Sequence, residues 1–270
     1  MFITYKADNG VCFVTSDILK SRHAFSTRIG GVSREAHTAG LNLAFNRGDS
    51  DETVLFNLAA FGEAVGFDPE SVISLPQIHS ATVLEVDGGF RGLGYYNKTQ
   101  LSADGYATAK KNVTLGVKSA DCIPILLEAE DGEGNITAVS ALHAGWRGTV
   151  AGIAEEGVKR LVQLGADPSR IRAAIGPAIG SCCFRVGEDF KETVTSERGG
   201  DFAKRFIRDE NGQLFADIKA MNRELLASCG LAEKNIDVCQ ECTFCLEAKY
   251  YSHRRMAGLR GTMLSVITLD

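Results

Sequence analysis

Long apolar runs are missing from this chain: none approaches the ~18–20 residues that a membrane-spanning helix requires. Its opening, Met1-Phe-Ile-Thr-Tyr-Lys, lacks the basic stretch followed by an apolar one that marks a secretory leader, so a cytoplasmic location is expected. Excess positive charge is missing too. The 29 Lys and Arg against 34 Asp and Glu leave a formal net charge of -5, which argues against nonspecific nucleic-acid binding. Proline is scarce, with five residues in 270, and no Pro/Ser-rich linker, low-complexity tract or internal repeat divides the chain. One domain over residues 1–270 is therefore expected, with ample length to bury a core. Eight cysteines are too sparse for a disulfide scaffold at this length; in a reducing compartment such thiols serve packing, metal binding or catalysis.

Asn9-Gly10 marks a tight turn inside a hairpin over residues 2–14. Ser50 caps a helix running to about Val65, with Gly66 as its stop. Val150, Ala154, Val158, Leu161 and Leu164 keep helical spacing from Thr149 to Leu164, before Gly165. Asp217 opens a further helix whose apolar face is Ile218, Met221, Leu225 and Leu226, and which ends near Gly230. Strands are expected at Ser71–Leu75, Thr82–Val86, Val113–Val117, Ile123–Leu127, Ile136–Leu142, Ile171–Ile175 and Thr262–Leu269. Many strands with a few helices between them give an α/β or α+β fold, too irregular for a simple βαβ repeat.

Chemistry gathers at three strand ends. The strand closing on Ser140-Ala-Leu runs into His143-Ala-Gly-Trp146-Arg147-Gly, where a chain passing from strand to helix places ligands. Gln77-Ile78-His79 and Ala120-Asp121-Cys122 end two earlier strands. Two imidazoles and a thiolate suit zinc or copper, and three protein ligands leave a fourth tetrahedral position open for water or substrate. Each of the three residues alone is equally compatible with ordinary packing or hydrogen bonding. Lys118 and Arg147 beside such a centre favour an anionic ligand such as phosphate, unless they are paired with Asp121 and Asp104. Arg28-Ile-Gly30-Gly31 could turn N–H groups and a guanidinium towards an anion, or form a plain turn. Cys239, Cys242 and Cys245, near Cys229, have the spacing of zinc or iron–sulfur ligands, with no second Cys-x-x-Cys or local His to complete the set. They read as packed or redox-active thiols with a second metal left open. The vicinal Cys182-Cys183 reads as thiols lining a pocket or the core.

Taken together, the segments Thr27–Ser33, Gly40-Leu-Asn42-Leu, Gln77-Ile-His79-Ser, Asp104–Thr108, Ser119–Pro124, His143–Gly148, Gly176–Gly180 with Cys182-Cys183, and Cys242–Cys245 with Ser252–Arg255 resemble the laccase-domain (YfiH-like, polyphenol oxidoreductase-like) family of zinc-dependent purine nucleoside enzymes. The resemblance implies mixed β-sheets packed together and flanked by helices, similar to the deamidating domain of cytotoxic necrotising factors. It implies a zinc ion on His79, Cys122 and His143, with copper possible at the same ligands. It also implies phosphorolysis of adenosine, inosine, guanosine and methylthioadenosine to base and ribose 1-phosphate, together with deamination of adenosine at C6 by water that a metal acidifies. The partners are then purine nucleosides and phosphate, and the chain a monomer or weak dimer. Arg28, Lys118 and Arg147 are the candidates for phosphate or transition-state contacts, and Asn42 and Gln77 for sugar or base. His253 departs from the family, which more often has Tyr or another aromatic there; Cys239 is an added thiol. A non-enzymatic metal-binding scaffold is least favoured, since the cationic and polar shell would then have no use, and two enzymatic rivals stand beside this reading. One is a hydrolase or deamidase with Cys122 as nucleophile and His143 as base. The other is copper-dependent phenol oxidation, which needs a His-rich trinuclear cluster that five histidines in all cannot furnish.

Overall fold

The structure, a computed structural model, describes residues 1–270. Two six-stranded mixed sheets stack face to face, and helices cover both outer faces. The first sheet is built from β1 (Phe2–Lys6), β2 (Cys12–Ser16), β3 (Arg22–Ser26), β4 (Val72–Ile73), β7 (Thr114–Ser119) and β15 (Met263–Thr268), in the order β1-β2-β3-β15-β7-β4. The second contains β5 (Val83–Glu85), β6 (Gly105–Thr108), β8 (Ile123–Glu130), β9 (Ile136–Ala144), β10 (Ile171–Ile175) and β14 (Ile236–Val238), in the order β14-β10-β8-β9-β6-β5. A small antiparallel sheet, β11 (Arg185–Val186), β13 (Gln213–Ala216) and β12 (Ile207–Glu210), lies to one side. The helices are α1 (Asp51–Val65), α2 (Trp146–Ala151), α3 (Ile153–Gln163), α4 (Glu188–Arg198), α5 (Gly200–Phe206) and α6 (Ile218–Ser228).

Strand periodicity sorts the core into layers. Along β8, Leu126 faces the first sheet, where it shares a core with Phe25, Leu115, Val117 and Ile267. Its neighbours Ile125 and Leu127 point the other way, against Ile153, Val158 and Leu161 of α3 and Ile218, Leu225 and Leu226 of α6. Because both faces of β8 are covered, it reads as a nearly continuous apolar run rather than an alternating one. On the far side of the first sheet, Val54, Leu58 and Phe61 of α1 pack on Ala24, Val72, Leu264 and Val266. The expected arrangement of packed mixed sheets flanked by helices is what the structure has.

Local expectations hold unevenly. Ser50 accepts from the Thr53 N–H, and Gly66 ends α1 at φ 89°, as the capping residues indicate. The β1–β2 hairpin forms, but only Gly10 has a positive φ, so the connection is a longer loop rather than a two-residue type I′ turn. The helix expected from Thr149 to Leu164 starts earlier, at Trp146, and breaks at Gly152, whose φ of 94° separates α2 from α3. The strand expected at Ser71–Leu75 shrinks to Val72–Ile73, because Pro69–Ser71 coils into a single 3-10 turn.

Candidate metal centre and cleft

Register brings the three strand ends to one place. In the β8–β9 pair Pro124 faces His143, so Cys122, just before β8, lies beside the end of β9. Strand β6 pairs with the same β9, placing Asp104 next to His143, whose N–H donates to the Asp104 carbonyl at 2.7 Å. The loop carrying His79 leads into β5, which pairs with β6. The ligand atoms of His79, Cys122 and His143 lie within 4.8 Å of one another. His79 Nε2 is 3.8 Å from Cys122 Sγ, and the two imidazoles meet edge to face with ring centres 5.0 Å apart. His143 is buried and His79 exposed, so the group sits at the base of an opening rather than inside the core.

Asp104, fully buried, organises this group. Its carboxylate pairs with His143 Nδ1 at 2.8 Å and accepts the backbone N–H groups of Ile78, His79 and Ser80 at 3.2, 3.0 and 2.7 Å. With Nδ1 engaged, His143 presents Nε2 to a metal, the arrangement in which a carboxylate orients a histidine ligand. Burial pushes the Asp104 carboxyl up, but His143 and the Ser80 donors outweigh it and bring it to about 2. Burial likewise raises the Cys122 thiol, yet the imidazoles of His143 and His79 bring it down to about 6. His143 is lowered by burial and raised more by Cys122 and Asp104, to about 9. The sulfur is thus a thiolate near neutrality, the form that ligates a metal. Donor type, spacing and the oriented imidazole fit a zinc ion with one position left for water or substrate.

Two ligand turns are left-handed. His79 has φ 60° and Asp121 φ 89°, conformations that cost of order 1–3 kcal/mol each in a non-glycine residue. At Asp121 the carboxylate offsets this by accepting from Thr243 Oγ1 at 2.6 Å, Ser252 Oγ at 2.9 Å and the Arg254 N–H at 2.7 Å.

A cleft opens on either side of the three ligands. One side is a cavity of about 650 Å3 lined by Asn46, Arg47, Gln77, Lys98, Tyr95, Lys118 and Arg260, with Asp51 the carboxylate among its lining. Lys118 is half-buried; its ammonium donates to the Ser74 carbonyl at 3.0 Å and lies 5.1 Å from the Tyr95 ring centre. Burial, assisted by Arg47, pushes it down to about 8, and the same two causes bring Arg260 down to about 10. Cations that repel one another in this way make a receptor for an anion. The other side is a cavity of about 560 Å3 that Arg47 and Arg260 also line and that carries Trp146, Arg147, Phe184, Ile218, His253 and Arg254. There Arg147 stacks 4.2 Å over Trp146, and Arg254 lies 5.5 Å over Phe184.

The residues singled out in the sequence separate accordingly. His79, Cys122 and His143 come together; Gln77, Lys118 and Arg147 line the cleft around them. Neither cation pairs with an acid: Asp104 is taken by His143, and Asp121 by the C-terminal segment. Gln77 spends both amide atoms on the Lys118 backbone, at 2.7 Å each, and so positions that lysine. Arg28 does not line the cleft. Its guanidinium donates to the Ala39 carbonyl at 3.1 Å and stacks on Tyr251, which makes the Gly30-Gly31 segment a structural turn. Asn42 is fully buried, its amide donating to the Ala44 carbonyl and Asp49 and accepting from the Thr262 N–H. Arg47 and Arg260 were missed, and Asp104, read in the sequence as a possible partner of Lys118 or Arg147, pairs with His143 instead. Arg47 and Arg260 are each followed by glycine in a loop, a weak signal indistinguishable from other exposed turns.

The family model described as multi-copper polyphenol oxidoreductase laccase matches residues 22–270. A purine nucleoside phosphorylase from Deinococcus radiodurans is 36% identical over 247 residues, spanning 92% of this chain and 88% of that protein. Adenosine deaminase RL5, from an unknown prokaryotic organism, is 34% identical over 238 residues, 86% of this chain and 88% of the relative. The crystal structure of YlmD from Geobacillus stearothermophilus superposes with a TM-score of 0.87 at 30% identity, covering 100% of both chains.

Proposed function

This chain belongs to the multi-copper polyphenol oxidoreductase laccase family, among relatives named purine nucleoside phosphorylase and adenosine deaminase, and from that premise we propose that it phosphorolyses purine nucleosides and deaminates adenosine at one zinc centre on His79, Cys122 and His143. The observation that carries the reading is the position of these ligands. They line a cavity holding the unpaired cations Arg47, Lys118 and Arg260, and His79 and Cys122 also line a second one, shared by Arg47 and Arg260, that bears Trp146 and Phe184. A zinc ion bound there would supply Lewis acidity and acidify water towards neutrality.

The residues divide the work by charge. Arg47, Lys118 and Arg260 hold phosphate on one side, and the aromatic wall takes the purine, with Arg147 at its edge. In phosphorolysis a phosphate oxygen bonds to C1′ as the C1′–N9 bond breaks, and that bond's electron pair leaves with the purine. Positive charge building on the ribose is met by phosphate, which the three cations hold oriented against it. In deamination water adds at C6 and ammonia leaves, giving inosine. Asp104 keeps His143 in one tautomer through either reaction.

The test is incubation with adenosine and phosphate, followed by chromatography. Adenine with ribose 1-phosphate, and inosine, should form above the background of Cys122→Ala. Neither product above that background would reject the reading. It would leave ahead a second one that a specific contact favours: Cys122, His143 and Asp104 also form a thiolate–imidazole–carboxylate series of the kind a cysteine hydrolase uses. The copper phenol oxidase fares worse. Besides this group, the structure gathers only a set of four cysteines, and no further histidine cluster.

A further inference from the structure

A second set of donors lies away from the cleft ligands, on residues the mechanism does not use. Cys182 and Cys183 follow β10 in a tight turn, and Cys242 and Cys245 belong to the segment after β14. An isolated bridge between Ala178 and Cys242 joins the two stretches, and the Thr243 N–H donates to the Ala178 carbonyl at 3.1 Å. The four sulfurs lie within 4.8 Å of one another, with Cys183–Cys245 at 3.4 Å and Cys182–Cys245 at 3.8 Å. Four thiolates at about 2.3 Å from a tetrahedral zinc stand about 3.8 Å apart. A disulfide would need about 2.0 Å, and all eight cysteines are free.

We propose that Cys182, Cys183, Cys242 and Cys245 form a second, structural zinc site with a closed tetrathiolate shell. Core packing does not account for the cluster: Cys182 and Cys245 are exposed and Cys183 is half-buried, whereas a cysteine that serves only as an apolar side chain is buried. The surroundings are those of a ligand shell. The Gly180 N–H donates to Cys242 Sγ at 3.2 Å. Cys242-Thr-Phe-Cys245 thus has the form of a metal knuckle. A side chain at position 180 would put Cβ 3.2 Å from Cys182 Sγ and 3.3 Å from Cys242 Cβ, so glycine leaves room for the sulfurs to converge. The Lys219 ammonium, tied to the carbonyls of Cys239 and Glu241 at 2.7 Å each, lies where its charge acts on Cys182 and Cys242 and offsets a centre of net charge -2. Binding one zinc ion by four thiols releases four protons and changes no oxidation state. Cys239 and Cys229 stay outside the set, so the ligands are not the run Cys239-x-x-Cys242-x-x-Cys245 but one half of it joined to the vicinal pair. The site pins the segment that carries His253, Arg254 and Arg260 to the turn after β10 and so fixes part of both cleft walls.

Metal content tests this without reference to catalysis. Protein purified in reducing buffer should contain about two zinc ions per chain, Cys122→Ala about one, and Cys242→Ser/Cys245→Ser about one. Cobalt titrated into metal-stripped Cys122→Ala should give intense sulfur-to-cobalt charge-transfer absorption and tetrahedral visible bands, a readout that leaves the cluster unmutated should the double variant fail to fold. Cys122→Ala that binds neither zinc nor cobalt would overturn the proposal. So would a peptide map of fresh protein that joins Cys245 to Cys182 or Cys183 by a disulfide.

Discussion

Asp104 and Lys118 show how single side chains set the chemistry of the cleft. Asp104 has no solvent exposure and serves two of the candidate ligands at once, His143 through its ring and His79 through the backbone of its turn. Asp104→Asn keeps the shape and removes the charge. We expect metal affinity to fall by roughly 10–100-fold, read by competition with a chromophoric chelator; an unchanged affinity would remove Asp104 from the centre. Lys118 makes a prediction in pH. Its folded value of about 8 lies below the ordinary 10.5, so between the two the unfolded chain holds more protons. The stability cost of burying this ammonium is therefore fully present below about 8 and fades as pH rises towards 10.5. Phosphate held by Lys118 should bind best below that range, and KM for phosphate should climb as pH passes through about 8 while KM for adenosine deamination stays level. Lys118→Arg keeps its charge throughout and should abolish the inflection. An inflection that persists in Lys118→Arg would belong to another group.

Elements differ in how far their own sequence determines them. Helix α1 was legible because its signals are local: Ser50 at one end, Gly66 at the other, and apolar residues between. The strands β8, β9 and β10 were legible as apolar runs because both faces are buried. Helices α4 and α5 and the small sheet of β11, β12 and β13 went unread, since most of their residues are exposed and only a few, such as Phe190, Val194 and Leu214, are buried. The break between α2 and α3 was hidden by an apolar spacing that continues across Gly152. The three candidate ligands were legible as residue types at strand ends, but their convergence depends on the β8–β9 and β6–β9 registers, which no local pattern states. The entry to α2 carries a prediction. A Cβ at Gly145 would lie 2.5 Å from His79 Cδ2 and 3.5 Å from Cys122 Sγ, so Gly145→Ala must displace a ligand. Metal bound at this centre and both activities should drop together, by about tenfold or more. Circular dichroism should be nearly unchanged. Full metal content in Gly145→Ala would mean that His79 is not a ligand.

Across the whole molecule, the cleft lies where the two sheets exchange the chain. Strand β7 leaves the first sheet at Ser119 and β8 enters the second at Ile123, so Ala120, Asp121 and Cys122 form a link between layers. Asp121 binds that link to the C-terminal segment through Thr243, Ser252 and the Arg254 N–H, and that segment then returns to the first sheet as β15. The turn carrying Cys122, the C-terminal segment and the junction between layers therefore share one buried carboxylate. Asp121→Ala leaves three donors without their acceptor, and at about 1.5–3 kcal/mol for each hydrogen bond to a charged group the loss should reach several kcal/mol. Relief of the left-handed backbone strain cannot offset this, because alanine tolerates a φ of 89° no better than aspartate does. At about 2–4 °C per kcal/mol for a chain of this size, the melting temperature should fall by roughly 10 °C. Asp121→Asn, which keeps an acceptor oxygen for part of the set, should fall less. Metal affinity at Cys122 should decline in the same order, wild type, Asn, then Ala, when measured below the melting range. If the melting temperature falls while that affinity holds, the C-terminal segment is anchored independently of the metal turn and the coupling across the layers does not exist.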